Sequence, residues 1–94
     1  MSKVVEAAVA ALDEKARGFE GTAKFVIEGE GAVYIDASGA RAADDEAEVT
    51  LTADRATFEG LLSGDVNPTL AFMTGKLKVD GAMGTAMKLG ALLS

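Results

Sequence analysis

The sequence predicts an α+β fold, a two-layer sandwich in which a mostly antiparallel sheet of four to five strands is covered on one face by helices. Two observations predict it. Segments near both ends of the chain repeat apolar residues at steps of three and four, and segments between them alternate apolar and polar residues. An alternating sheet has one apolar face, and helices with one apolar stripe are suited to cover it.

The first predicted element is a helix from Ser2 to Arg17, and Gly18 is expected to end it. Its apolar residues form one stripe at helical spacing: Val5, Val9, Leu12, Ala16 and Phe19. The helix therefore has one face that can pack on a sheet.

Three alternating stretches follow and are predicted to be strands. Their inward residues are Ala23, Phe25 and Ile27 in the first, Val33 and Ile35 in the second, and Val49, Leu51 and Ala53 in the third. Gly29-Glu30-Gly31 is short enough to join the first two strands as an antiparallel hairpin. The polar segment from Ala37 to Asp45 is predicted to be a loop with a turn at Ser38-Gly39.

The remaining elements are predicted to be two helices, a strand and a last helix. Asp54 and Asn67 are expected to cap the first two helices, and Pro68 suits the first helical position. Gly64 and Gly75 are expected to end them. The strand from Lys76 to Asp80 would point Leu77 and Val79 inward. The last helix would place Met83, Met87 and Leu89 through Leu93 on its buried side.

Composition limits the possible function classes. The 94 residues are expected to form a single domain, residues 1–94, and the net charge of −6 disfavours a nucleic-acid partner and stable membrane insertion. Cysteine and histidine are both absent. We therefore expect no metal site, no cofactor and no histidine-dependent catalytic triad, and the absence of cysteine favours a cytoplasmic location.

Acidic residues are numerous, so carboxylate catalysis has to be considered. Asp44, Asp45, Glu46 and Glu48 are expected to lie on the surface, where carboxylates keep ordinary pKa values and act poorly as general acids. Glu59 is the one candidate near an apolar helix face. The sequence therefore predicts a protein that is not an enzyme, with no catalytic residue.

From Glu46 onward the sequence resembles the sterol carrier protein 2 family. The resemblance depends on the strand AEVTLTAD, on LLSG, and most specifically on AFMTGKLKV and GAMGTAMKL. It implies helices over a mostly antiparallel sheet of about five strands. It also implies a hydrophobic tunnel that binds fatty acids, fatty acyl-CoAs, sterols or phospholipids without chemistry.

Two features differ from some members of that family. Members that collide with anionic membranes use a basic N-terminal helix, whereas acidic residues here offset Lys3, Lys15 and Arg17. The chain ends Leu92-Leu93-Ser94, which is not the peroxisomal small-basic-leucine signal. Both differences favour a cytoplasmic carrier over one that docks directly on membranes.

A ligand tunnel is expected where the inward residues of the sheet meet those of the helices. The predicted lining residues are Phe25, Ile27, Val33, Ile35, Phe58, Leu62, Leu70, Met73, Met83 and Met87. Methionine adapts to irregular apolar ligands, but it also fills gaps in ordinary cores. The alternative function is an accessory interaction or dimerisation domain, for example a homodimer, with Val26, Tyr34 or the last helix as the partner surface.

Overall fold

The computed structural model describes residues 2–93. Its elements, in chain order, are α1 Lys3–Ala16, β1 Ala23–Ile27, β2 Gly31–Asp36, β3 Gly39–Ala42, β4 Val49–Ala53, α2 Arg55–Ser63, α3 Pro68–Met73, β5 Lys78–Gly81 and α4 Met83–Leu93. The α+β class is thus confirmed.

The strands form one five-stranded sheet in the order β3-β2-β1-β4-β5. Neighbouring strands are antiparallel except for β1 and β4, which are parallel. Phe25 in the central strand lies opposite Val33 on one side and Leu51 on the other. The sheet is therefore mostly antiparallel, as predicted, with its largest apolar side chains at its centre.

β3 is the strand that the sequence pattern did not predict. The predicted turn at Ser38-Gly39 is wrong by one residue, because the turn is Ala37-Ser38 and Gly39 begins the strand with φ +118°. Ala40 pairs with Ile35, and its backbone N–H donates to Asp13 Oδ1 of α1 at 3.0 Å. A Cβ at position 39 would overlap the same carboxylate. Distant partners, not local alternation, make this segment a strand.

The two predicted helix caps, Asp54 and Asn67, are present, and Ser2 is a further N-cap that was not predicted. Ser2 Oγ accepts hydrogen bonds from two backbone N–H groups of α1, and Asp54 accepts one from Thr57 N–H. Asn67 Oδ1 accepts from the backbone N–H groups of Thr69 and Leu70. Each cap satisfies donors that have no partner within the helix, so the helix starts follow directly from local sequence.

The core lies between the helices and the inner face of the sheet. The ring of Phe58 in α2 packs on that of Phe25, with the centroids 4.6 Å apart. The buried residues of α1 are Val5, Ala8, Leu12 and Ala16. Val9, which was predicted to lie on the buried stripe, is only half-buried and packs at the edge of the core, and Ala8 is buried instead. The fully buried inner positions of the sheet are Ala23, Phe25, Ile27, Val33, Ile35 and Val49.

The outer face of the sheet carries polar and charged residues, as the alternation predicted. Tyr34 is on this face, yet only 7% of it is exposed, since Arg41 of β3 covers its ring at 4.5 Å from the centroid. Arg41 also pairs with Asp36 at 3.0 Å. Tyr34 is therefore less available as a partner surface than the sequence suggests.

Within residues 2–93, no helix combines the length and the hydropathy that crossing a membrane requires.

Candidate binding cleft

An open cleft of about 440 Å³ lies between α3, β5 and α4. We call it the α3–α4 cleft. Its lining residues are Leu51, Asn67, Pro68, Thr69, Phe72, Leu77, Val79, Met83, Ala86, Met87, Gly90 and Ala91. Most of these side chains are apolar, so the cleft offers van der Waals contact and burial but no reactive group.

The cleft has a buried floor and an exposed rim. Leu51 and Leu77 are 1% and 3% exposed, and Val79 of β5 is half-buried beside them. At the rim, Phe72, Met83 and Met87 are 45%, 49% and 73% exposed. A ligand seated here would contact a rigid floor and flexible, polarizable walls.

Local backbone bonds hold α3 over one side of the cleft. Asn67 and Pro68 start this short helix, and the carbonyl of Ala71 accepts from the N–H groups of Lys76 and Leu77 at 2.9 and 3.0 Å. These bonds turn the chain from α3 toward β5. The turn places Phe72 on the rim and Leu77 on the floor.

Gly90 lies where α4 passes Pro68 at the start of α3, and both residues line the cleft. A Cβ at this position would lie 3.7 Å from the Cβ of Pro68, which is ordinary contact, so any larger side chain would enter the open space. Gly84, in contrast, has no atom within 4 Å of such a Cβ. Of these two helical glycines, only Gly90 has a neighbour within 4 Å of an added Cβ, and at neither position does a close contact require glycine.

The predicted lining residues fall in four different places. Met83 and Met87 line the α3–α4 cleft, whereas Phe25, Ile27, Val33 and Ile35 are fully buried in the core. Phe58 and Leu62 line a separate groove of about 460 Å³ between α1 and α2. Leu70 and Met73 are 60% and 74% exposed on α3 and lie outside the cleft.

The expectation that Met83 and Met87 lie on the buried side of the last helix is wrong. Ala86 and Leu89 take that side, at 6% and 0% exposure, because the smaller Ala86 lets α4 approach the sheet. The sequence reading also missed Phe72, Leu77 and Val79 as lining residues.

The carboxylates that the sequence singled out are solvated or take part in structural bonds. Glu59 is exposed and pairs with Arg55 at 2.6 Å. Asp44 pairs with Lys24 at 2.8 Å, and Glu48 Oε2 accepts from the Thr22 N–H at 3.1 Å. Among residues 2–93, no cluster of three or more acidic, histidine or cysteine side chains is placed to hold a metal ion.

Three aspartates accept backbone hydrogen bonds that favour their charged form. The Thr57 N–H is the main cause that lowers the pKa of Asp54. The pKa of Asp13 is lowered mainly by the Ala40 N–H, and the pKa of Asp36 is lowered mainly by the Ser38 N–H. All three hold secondary structure together at turns or helix ends. None of them lines the α3–α4 cleft.

The fold and the cleft define a small α+β domain with an open, mainly apolar cleft between two helices and an edge strand. The chain belongs to the SCP-2 sterol transfer family, which matches residues 3–94. This match confirms the resemblance seen in the sequence, and it supports lipid binding or transfer as the role of the domain.

Individual relatives agree with the family match. Hydroxysteroid dehydrogenase-like protein 2 of Xenopus tropicalis is 34% identical over 89 residues, which cover 86% of this chain and 21% of that protein. Human sterol carrier protein 2 is 48% identical over 46 residues, 49% of this chain and 8% of that protein. The chain thus spans about a fifth or less of the length of these curated relatives.

The fold also matches a solved lipid complex. The solution structure of sterol carrier protein-2 from Aedes aegypti in complex with the C16 fatty acid palmitate superposes with a TM-score of 0.79 at 22% identity. The match covers all of this chain and 97% of that one. At 22% sequence identity, this comparison shows that the two proteins share a fold and nothing more.

Proposed function

We propose that this domain is a non-catalytic lipid carrier that holds the apolar part of a fatty acid, fatty acyl-CoA, sterol or related ligand in the α3–α4 cleft. The observation that carries the proposal is the cleft itself. Its volume of about 440 Å³ falls within the range of about 300–1,000 Å³ that is common for small-ligand sites. Family membership and the palmitate complex of the Aedes relative support the same ligand class.

Burial of an acyl chain supplies enough free energy for useful affinity. Each buried methylene contributes about 0.8 kcal/mol, so ten methylenes contribute on the order of 8 kcal/mol before the cost of immobilising the ligand. A micromolar dissociation constant requires about 8 kcal/mol net. A chain of palmitate length therefore binds in the micromolar range only if most of it is covered, which the flexible rim of Met83 and Met87 allows.

An open cleft is also consistent with the stability of a small domain. At about 24 cal/mol per Å³, a closed and empty cavity of the same volume would cost about 10 kcal/mol. A typical domain is stable by only about 5–15 kcal/mol. The open cleft avoids this cost because water or lipid can fill it. We propose that Met83 and Met87 close over the ligand once it is bound.

Met87→Glu and Met73→Glu together test the site. The two methionines are equally exposed, at 73% and 74%, but only Met87 lines the cleft. A carboxylate at position 87 would have to be desolvated by a bound acyl chain, so palmitate affinity should fall about 10-fold or more. Palmitate titration by calorimetry measures this change, and thermal unfolding checks that both variants remain folded.

Met73→Glu is the matched control and should bind palmitate as the wild type does. Equal loss of affinity in both variants, or no loss in either, would contradict the assignment of the cleft. Loss of folding in Met87→Glu alone would show that Met87 belongs to the core.

A second candidate function is an accessory interaction domain that forms a homodimer. Leu70 and Met73 favour it, because both are largely exposed on α3 and neither lines the cleft. The relatives in which the matching region is about a fifth of a longer chain are consistent with an accessory role.

Sedimentation velocity with and without palmitate distinguishes the two functions. The carrier proposal predicts uptake of palmitate by a monomer. Dimerisation that is independent of ligand, is abolished by Met73→Glu and occurs without palmitate uptake would favour the accessory role.

A further inference from the structure

The walls of the α3–α4 cleft carry no charge. None of the described side chains that line it is ionisable, and polar side chains appear only at the start of α3, at Asn67 and Thr69. A carboxylate or phosphate pressed against these walls would lose hydration without gaining a cationic partner. The cleft is therefore suited to a ligand that is uncharged where it contacts the protein.

The two polar side chains have free hydrogen-bonding capacity. Asn67 Oδ1 already accepts from the N–H groups of Thr69 and Leu70, at 2.8 and 3.2 Å, which leaves its Nδ2 as a donor. Within the described part of the chain, neither this Nδ2 nor the Thr69 hydroxyl has a hydrogen-bond partner. Both residues are exposed at the rim of the cleft, so a hydroxyl or ester oxygen of a lipid could take the place of water on this amide donor and this hydroxyl.

The lysines near these elements in sequence are directed elsewhere. Lys88 of α4 pairs with Glu20 at 3.3 Å. Lys78 of β5 lies opposite Thr52 in the strand register and on the other face of the strand from Val79. Lys76 is exposed and does not line the cleft. Among the described residues that line the cleft, none would therefore offer a cationic side chain to an anionic headgroup.

We propose that the cleft selects lipids with an uncharged hydroxyl or ester headgroup, such as a long-chain alcohol or a sterol, over lipids with an anionic headgroup. The inference rests on the proposed function, since it assumes that the cleft holds the apolar part of the ligand. The ligand hydroxyl lies against Asn67 Nδ2 and Thr69 Oγ1. The net charge of −6 acts in the same direction, because it repels anions.

The first test compares hexadecanol with palmitate, which have chains of equal length, by displacement of the neutral fluorophore N-phenyl-1-naphthylamine. Hexadecanol should bind about 10-fold tighter or more near neutral pH. Raising NaCl from about 50 to about 500 mM should leave palmitate affinity unchanged or slightly higher. Tighter binding of palmitate, or palmitate binding that salt weakens, would overturn the inference, since both require a cation at the site.

Hexadecanol could bind more tightly than palmitate only because it is more hydrophobic. Thr69→Val tests whether the contact with the headgroup also contributes to its affinity. Valine keeps the shape of threonine and removes the hydroxyl, so hexadecanol affinity should fall about 2- to 10-fold while palmitate affinity stays the same. Thr52→Val, a half-buried threonine on the outer face of β4, is the matched control and should change neither.

The outcomes separate this inference from the proposed function. If wild-type protein binds both lipids and Thr69→Val leaves hexadecanol affinity intact, the headgroup inference is wrong and the carrier function stands. If wild-type protein binds neither lipid, the proposed function is wrong as well.

Discussion

Single glycines show how strongly close contacts limit substitution in this domain. At Gly60 in α2, an added Cβ would meet the side chain of Val66, whose backbone N–H also donates to the Gly60 carbonyl at 3.0 Å. Gly84 near the start of α4 faces open space. The two glycines look alike in the sequence, since both interrupt a helical pattern, and only their neighbours distinguish them.

Gly60→Ala and Gly84→Ala should therefore change stability in opposite directions. Gly60→Ala should lower the free energy of unfolding by about 1–3 kcal/mol, because Val66 must shift. Gly84→Ala should raise it by up to about 1 kcal/mol, because alanine favours the helix and nothing obstructs it. Urea denaturation measures both changes. A Gly60→Ala variant more stable than Gly84→Ala would contradict the packing described here.

At the scale of elements, local signals were sufficient for the helices but not for every strand. The caps at Asp54 and Asn67 were predicted because each side chain bonds to N–H groups two or three residues away, and the cap at Ser2 follows the same local rule. β3 could not, since Ala40 becomes part of a strand through β2 and through Asp13 of α1, both distant in sequence. Its small residues show little alternation that would reveal a strand.

Hydrogen bonds at these element ends predict how stability depends on pH. Asp13, Asp36 and Asp54 have pKa values lowered in the folded state, chiefly by backbone N–H donors. Their contribution is thus fully present above the unfolded-state pKa of about 4 and is lost as pH falls through the lower folded-state values. The free energy of unfolding should decrease steeply only below about pH 4.

Asp54→Asn tests this dependence. Asparagine still accepts a hydrogen bond as an N-cap but does not titrate, so the variant should show a shallower fall in unfolding free energy between about pH 4 and pH 2. Urea denaturation across this range measures the slope. A variant with the wild-type slope would contradict the role assigned to the Asp54 carboxylate.

At the scale of the whole molecule, the sequence indicated the fold and the apolar chemistry of a site but not where the site lies. Met87 and Leu89 are both large apolar residues on the same helix, yet one lines the cleft and the other is fully buried. Which apolar face stays open depends on how α3 and α4 dock beside the edge strand β5. That docking involves contacts between separate segments, such as the approach of Gly90 in α4 to Pro68 in α3, so no single segment predicts it.

The position of the bound acyl chain is the central claim, and methyl NMR of protein labelled with [¹³C-methyl]methionine during a palmitate titration tests it most directly. Met83 and Met87 line the cleft, and Met73 has similar exposure outside it. We predict saturable shifts of the Met83 and Met87 methyl signals with one dissociation constant, while the Met73 signal stays in place. Saturable binding that leaves Met83 and Met87 unshifted would place the ligand elsewhere and contradict the account.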